Sequence, residues 1–422
     1  MGAEVKTASR VRKRTVSPLV GDLVFYLGCL SYAIVTAVTS EFYGFRVWAD
    51  FAAIGYGLAA AHTLWLFRQP PRAQRSRWPG LAAIGVFAMI VPLAVLVVRR
   101  LTGVDWLNTP FSWSAQPEVW VIERSASLLL AHGTPYVDIA TLGRAPVVND
   151  YTPYGPVMTV FGLPRALFGG SPVADALTDA RLMFALTACA CVWLTLKLIG
   201  FPPVPVRAAQ LAAACPLTAL TWAVAGPDLA ITGLLLVGAA LAARDRPLGS
   251  AIVLALVVSA KLIVLPALVV VAALIAARLG KRGVCSFLGT ALIAIAVLNV
   301  PVFLVDPGAY VEHVIRFPAG LGSVASPAAS PLPGHLIAGL GPLGRVAAFV
   351  LLGAAAVAIV VWLLRRPPST GSDAMLRTAV GLGAFTLLTP ATRFGYLVYP
   401  AVLLGAMLCF GRAEALTSSS RE

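Results

Sequence analysis

Long apolar runs recur almost without pause from Pro18 to Phe410, and this feature limits what the chain can fold into more than any other. Of its 422 residues, 59% are hydrophobic and only 12% are charged, against roughly a quarter charged in an ordinary soluble domain. No water-soluble core hides that much apolar surface, whereas a bilayer accepts it. In lipid every backbone N–H and C=O has to be paired inside the protein, which leaves helices or closed barrels. Runs of Ala, Leu and Val form helices, and the short alternating strands of a barrel are absent. The fold class expected is an all-α polytopic membrane protein.

The net charge of +14 raises the question of nucleic acid, but the positions of the charges answer it. The basic residues sit in short clusters between apolar runs, the pattern of cytoplasmic loops, so no nucleic-acid partner is expected. Cys29, Cys189, Cys191, Cys215, Cys285 and Cys409 lie in or beside apolar runs without CxxC or Cys/His spacing, and read as small core residues. Lys6, Arg10, Arg12, Lys13 and Arg14 precede a long first run with no small-residue cleavage site, which reads as an uncleaved anchor.

At about 20 residues per crossing, about twelve transmembrane helices are expected, at 18–39, 50–67, 80–98, 180–199, 207–224, 229–243, 248–260, 262–277, 285–304, 344–364, 376–389 and 395–411. The clusters Arg68/Arg72/Arg75/Arg77, Lys197/Arg207, Arg244/Arg246, Arg278/Lys281/Arg282, Arg365/Arg366 and Arg412 then all fall on the cytoplasmic side. The division that follows is a basic cytoplasmic N-terminus (1–17), three N-terminal helices (18–98) and an extracytoplasmic segment (99–179). A nine-helix region (180–411) with an outer loop at 305–343 and a cytoplasmic tail (412–422) complete the chain. Residues 155–169 are apolar but short and carry Pro156, Pro164 and Arg165, so they read as a re-entrant or interfacial helix. The spans 248–260 and 262–277 have basic clusters at both ends; the chain dips in and returns, with Lys261 at the turn.

Residues 99–179 hold Asp105, Glu118, Glu123, Asp138, Asp150, Asp175 and Asp179 together with Trp106, Trp113, Trp120, Tyr136, Tyr151 and Tyr154. A connector does not need so many acids and aromatics, while a sugar does: its C–H faces stack on rings and its hydroxyl edges bond carboxylates. Interfacial Trp and Tyr also form the aromatic belt of any membrane protein. Helical character runs from Val119 to His132. Glu118 stands at its N-terminal end, where the helix dipole favours negative charge, and Glu123 and Arg124 read as a solvated face. Lys261, an ammonium inside a membrane domain, is the strongest functional cation. Arg393 follows it, with Arg165 and Arg316 weaker. His62, His132, His313 and His335 show no ligand spacing and no DxD motif stands out, so no metal and no cofactor are expected.

Glu118-Val119-Trp120, Gly133-Thr134-Pro135-Tyr136 and Tyr151-Thr152-Pro153-Tyr154, in that order, resemble the polyprenyl-phosphate-sugar-dependent glycosyltransferases of the GT-C fold. Glycosyltransferase family 87, with its mycobacterial-type mannosyltransferases, is the nearest. Ala225-Gly226-Pro227-Asp228, the Lys261 turn and Thr389-Pro390-Ala391-Thr392-Arg393 also resemble landmarks of that family. The family more often has Asp at the position of Glu118 and Tyr-Pro-Pro in the second motif, and its acid usually follows the first span, so Glu41 and Asp50 stay open as counterparts.

The resemblance implies a GT-C-like bundle whose outer segment carries catalysis. A hexose, mannose first, would pass from a polyprenyl-phosphate sugar donor to a lipid or glycan acceptor, with inversion, on the outer face of the plasma membrane. It casts Glu118 as general base and Lys261 and Arg393 as holders of the donor phosphate. Trp120, Tyr136, Tyr151, Tyr154, Asp150 and Asp228 become sugar or acceptor contacts. An arabinofuranose donor is the close alternative. A transporter or lipid flippase is the alternative of another class, favoured by the broken hairpin at Lys261 and opposed by the missing internal repeat.

Overall fold

The computed structural model describes residues 17–70, 75–102 and 113–419. The basic N-terminal residues Lys6 to Arg14, together with Arg72, Asp105 and Trp106, lie outside them. Among the described residues the architecture is helical, with a single isolated bridge between Ala329 and Thr392. Three helices open the chain: α1 (Pro18–Thr39), α2 (Tyr43–Phe67) and α3 (Trp78–Thr102). The outer segment contributes α4 (Pro117–His132) and the short α5 (Pro156–Phe168), which begins as a 3-10 helix. There follow α6 (Ala180–Leu198), α7 (Pro216–Val224), α8 (Pro227–Ala243), α9 (Pro247–Ala260) and α10 (Leu265–Val305). The last three are α11 (Pro342–Arg365), α12 (Gly371–Leu388) and α13 (Val398–Ser419).

Among the described residues six helices are long and apolar enough to cross a membrane, and a seventh crossing is made if α7 and α8 count as one span bent by 118°. The protein is therefore a multi-pass membrane protein with six or seven candidate spans where the sequence led us to expect about twelve. The difference has three physical sources. The expected spans 262–277 and 285–304 are two helices that meet end to end at Gly280, which breaks the helix with φ 67°, and they enter that number as one candidate. α9 has 14 residues, about 21 Å of helix against a hydrocarbon core of about 30 Å. α2 and α12 carry Arg46 and Asp50, and Asp373 and Arg377. α5 spans 13 residues and starts in 3-10 geometry, too short for a crossing. Of the cysteines expected in the core, Cys29 and Cys191 are buried but Cys189 and Cys285 are exposed.

Proline begins seven of these thirteen helices, at Pro18, Pro117, Pro156, Pro216, Pro227, Pro247 and Pro342. Its fixed φ suits the first turn and its missing N–H is not needed there. Two π-helical turns, Gly85–Ile90 in α3 and Gln210–Ala214 before α7, widen the coil. Each sends a carbonyl to α2: the Trp48 indole donates to Ala88 O at 2.9 Å and the Tyr56 hydroxyl to Ala214 O at 2.7 Å. Both rings are fully buried, so the polar groups exposed by the irregular turns are answered inside the protein, as lipid demands.

Two apolar clusters form the core. One joins α1, α2, α3 and the stretch around α7. The larger joins α4 and α5 to α6, α8, α9, α10, α12 and α13, so the outer segment rests on the same core as the spans. The helices also sort the charges. Gln116 N donates to Val224 O and Gly44 N to Trp113 O, so the start of α4, the end of α7 and the start of α2 share one end. At the other end Asp22 meets Arg77 and Arg207, and Asp245 meets Arg278, which also reaches Ser369 O.

Candidate active site

At the α4 end, five breaks in helical structure converge. Gly226, with φ 93°, turns the chain sharply between α7 and α8 and places Asp228 in the first turn of α8. Lys261, extended at φ −153°, separates α9 from the 3-10 turn Leu262–Val264. Tyr154 ends an extended stretch; the next residue, Gly155, donates its N–H to Ala260 O at 2.9 Å. Arg393 lies on a strap between α12 and α13. The neighbouring outer loop fixes that strap: Thr392 N donates to Ala328 O at 2.8 Å, Ser330 N to Thr392 O at 2.9 Å, and Pro390 O meets the His335 ring. Glu118 sits in the first turn of α4.

These residues make two ion pairs, Lys261 with Asp228 and Arg393 with Glu118. Lys261 and Asp228 are nearly buried, far from the snorkelling position open to a lysine near a membrane surface. Tyrosines complete the enclosure. The Lys261 ammonium lies 4.7 Å from the ring centre of Tyr396, 5.5 Å from that of Tyr154 and 6.0 Å from that of Tyr399, distances at which an aromatic face attracts a cation. The Tyr399 hydroxyl donates to Asp228 Oδ1 at 2.6 Å. Tyr154 is within electrostatic reach of Glu118, Asp228 and Arg393 together, which makes the two pairs one cluster of two cations and two carboxylates. One oxygen is left over: Glu118 Oε2 is buried and accepts no hydrogen bond from the described residues.

Glu118, Lys261, Arg393, Tyr154 and Asp228, singled out from separate motifs, therefore meet in space. Four other candidates take up different contacts. Tyr136 is buried and donates its hydroxyl to Tyr154 O at 2.9 Å, supporting the extended stretch rather than lining the cluster. Tyr151 stacks on Phe317 with ring centres 4.1 Å apart, and its hydroxyl lies 2.5 Å from Ser323 Oγ. Asp150 is held by Arg144 at 2.6 Å and by Val147 N, and the guanidinium keeps its carboxyl below the usual range. Trp120 packs against the core under the Arg124 guanidinium, 4.7 Å away. Glu41 and Asp50 are exposed.

Glu123 requires a correction. It lies on no solvated face: it is 4% exposed and bonded by Arg100 at 3.0 Å, by Arg165 at 3.3 Å and by Ala180 N at 3.0 Å. Arg100 also meets Asp179, which holds the fully buried Arg181. Burial pushes the Glu123 carboxyl up despite Arg100. Arg124 is turned inward as well, to Asn149 O and Asp150 O, and Arg165, weighed as a phosphate ligand, is committed to Glu123 and Asp175. Sequence reasoning missed Tyr396 and Tyr399. The signal was present, two tyrosines three residues apart just after Arg393 and so on one helical face.

A sequence profile of glycosyltransferase family 87 matches residues 151–390, more than half of the chain. The match contains Tyr154, Asp228 and Lys261; Glu118 and Arg393 flank it. No curated protein matches the chain.

Proposed function

Since the chain belongs to glycosyltransferase family 87 and is on that ground a membrane glycosyltransferase, we propose that it transfers a hexose, mannose first, from a polyprenyl-phosphate sugar to a lipid or glycan acceptor. The observation that carries this reading is the cluster of Lys261, Arg393, Asp228 and Glu118 under Tyr154, Tyr396 and Tyr399. The donor is a phosphodiester with one negative charge, and the departing polyprenyl phosphate, a monoester, carries up to two. Negative charge therefore grows at the phosphate as the glycosidic bond breaks. Fixed cations there are worth more in the transition state than in the ground state, which is what accelerates a reaction.

At rest the two cations are neutralised by the two carboxylates. Donor phosphate entering between Lys261 and Arg393 takes the place of Glu118 on Arg393 and leaves that carboxylate free. The acceptor hydroxyl then attacks the anomeric carbon, its proton passes to Glu118, and the C–O bond to phosphate breaks with its electron pair staying on the phosphate. Attack opposite the leaving group inverts the anomeric centre. The role of cation falls to Lys261 and Arg393, so the reaction proposed needs no metal. Arg77, Arg207 and Arg278 at the far end of the bundle support, by the positive-inside rule, a reading with that end in the cytoplasm and the site on the outer face of the plasma membrane.

The test is to incubate the purified protein with radiolabelled polyprenyl-phosphate mannose and a membrane-lipid extract, with and without a chelator. A labelled, α-mannosidase-sensitive product formed at equal rates in both is expected. Transfer only from a polyprenyl-phosphate arabinofuranose donor would replace the sugar assignment, and transfer from neither would overturn the donor class.

A further inference from the structure

At the end of the bundle away from Glu118, a groove of about 630 Å³ runs between the two π-helical turns. Its walls are Trp78, Leu81, Gly85 and Met89 on one side and Ala213 and Ala214 on the other, almost all apolar and mostly small. Polar groups stand at its mouth. Ser76 and Trp78, which line it, flank Arg77, and Arg207 begins the segment that supplies the opposite wall. Behind them Asp22, 1% exposed in α1, accepts from Arg77 at 2.5 and 2.6 Å and from Gln210 at 2.9 Å. Arg207 stands 3.8 Å from the same carboxylate with its side chain 45% exposed. One carboxylate between two guanidiniums leaves a surplus positive charge, and Arg207 is the one facing outward.

We propose that this groove holds an acyl chain of an anionic phospholipid, whose phosphate rests against Arg207. An ionisable group buried in a membrane domain marks a functional site by default, and π-helical turns frequently accompany such sites. The occupant follows from the lining. An apolar channel whose flanking segments carry Arg77 and Arg207 against the one carboxylate of Asp22 complements an apolar chain ending at an anion. Trp78, half exposed at the mouth, suits the headgroup level, where indoles concentrate. The chain's own first residues carry Lys6, Arg10, Arg12, Lys13 and Arg14 and would bring like charge to Arg77 and Arg207.

The test is native mass spectrometry of the purified full-length protein titrated with phosphatidylglycerol or phosphatidylcholine of identical chains. Wild type should saturate with one phosphatidylglycerol and prefer it over phosphatidylcholine about fivefold, the effect of one basic residue facing anionic lipid. Arg207→Gln should erase the preference. Gly85→Phe should abolish the saturating adduct of both lipids; a Cβ at Gly85 meets no atom within 4 Å, so the ring enters the groove without disturbing the helices. Ala213→Phe, at an exposed wall position, repeats the block from the other side. Equal binding of the two lipids by wild type, or an undiminished adduct in both groove variants, overturns the proposal.

Discussion

The four charges at the α4 end have unequal parts in the reaction, and substitution should separate them. Glu118→Gln keeps size and removes charge, so turnover should fall roughly 10²–10⁴-fold, the usual contribution of a general base, while the protein still purifies as folded. Glu41→Gln and Asp50→Asn, at exposed positions, should leave turnover within about twofold, since surface changes away from a site cost little; loss of transfer in either would move the base to α2 or its preceding loop. Lys261→Met should weaken donor binding, read as a raised KM for polyprenyl-phosphate mannose. These residues were legible in the sequence because charges are rare in a chain that is 12% charged and each interrupts an apolar run. Tyr136, Tyr151 and Asp150 were legible as unusual but not as supporting groups, because an aromatic motif looks the same whether its ring faces a sugar or another ring.

At the scale of helices, α4 owes its position to Glu123 as much as to apolar packing. Glu123→Gln removes the carboxylate that Arg100 and Arg165 share and leaves them Asp179 and Asp175, and breaking a buried pair costs up to about 3–5 kcal/mol; a drop in melting temperature in detergent checks this. Periodicity hid this network, since a Glu-Arg pair on an amphipathic helix normally faces water and only the packing of α3 and α6 against α4 turns it inward. The loops between the helices hold a second buried polar group. His313 accepts from Thr152 N at 2.8 Å through Nδ1 and meets Val137 O at 2.8 Å through Nε2, an arrangement that uses the neutral ring. Burial brings its pKa down to about 4, below the unfolded value of about 6.5. The stabilisation is therefore complete above about pH 6.5 and is lost as the pH falls through 4. Hydrogen exchange of residues 134–154 should accelerate over that interval in the wild type, and the pH dependence should vanish in His313→Gln. The helices themselves were mostly legible from apolar run lengths, including the short α9 and the break that falls at Gly280; the number of crossings was not, because run length does not reveal that α7 and α8 bend by 118° at their junction.

For the whole molecule, the sorting of charges to two ends is the testable property. With Cys189 and Cys285, the exposed natural thiols, replaced by serine, single cysteines at Ser76 and Ser323 should react with an impermeant maleimide from opposite sides of sealed vesicles. Labelling from one side would end the two-ended arrangement. The Glu118–Arg393 pair spans 275 residues of sequence, and this has a consequence for how the protein is made. At about 5–20 residues per second, Glu118 leaves the ribosome roughly 15–55 s before its partner exists. Asp228 and Lys261 wait, too, for the tyrosines of the last helix. During synthesis the membrane therefore contains a nearly complete bundle whose Glu118 has no Arg393 beside it, and a chain that stops before that strap never acquires one. A copy truncated before residue 393 should therefore show no transfer in the labelled-donor assay and should be cleared from the membrane faster than the full-length protein.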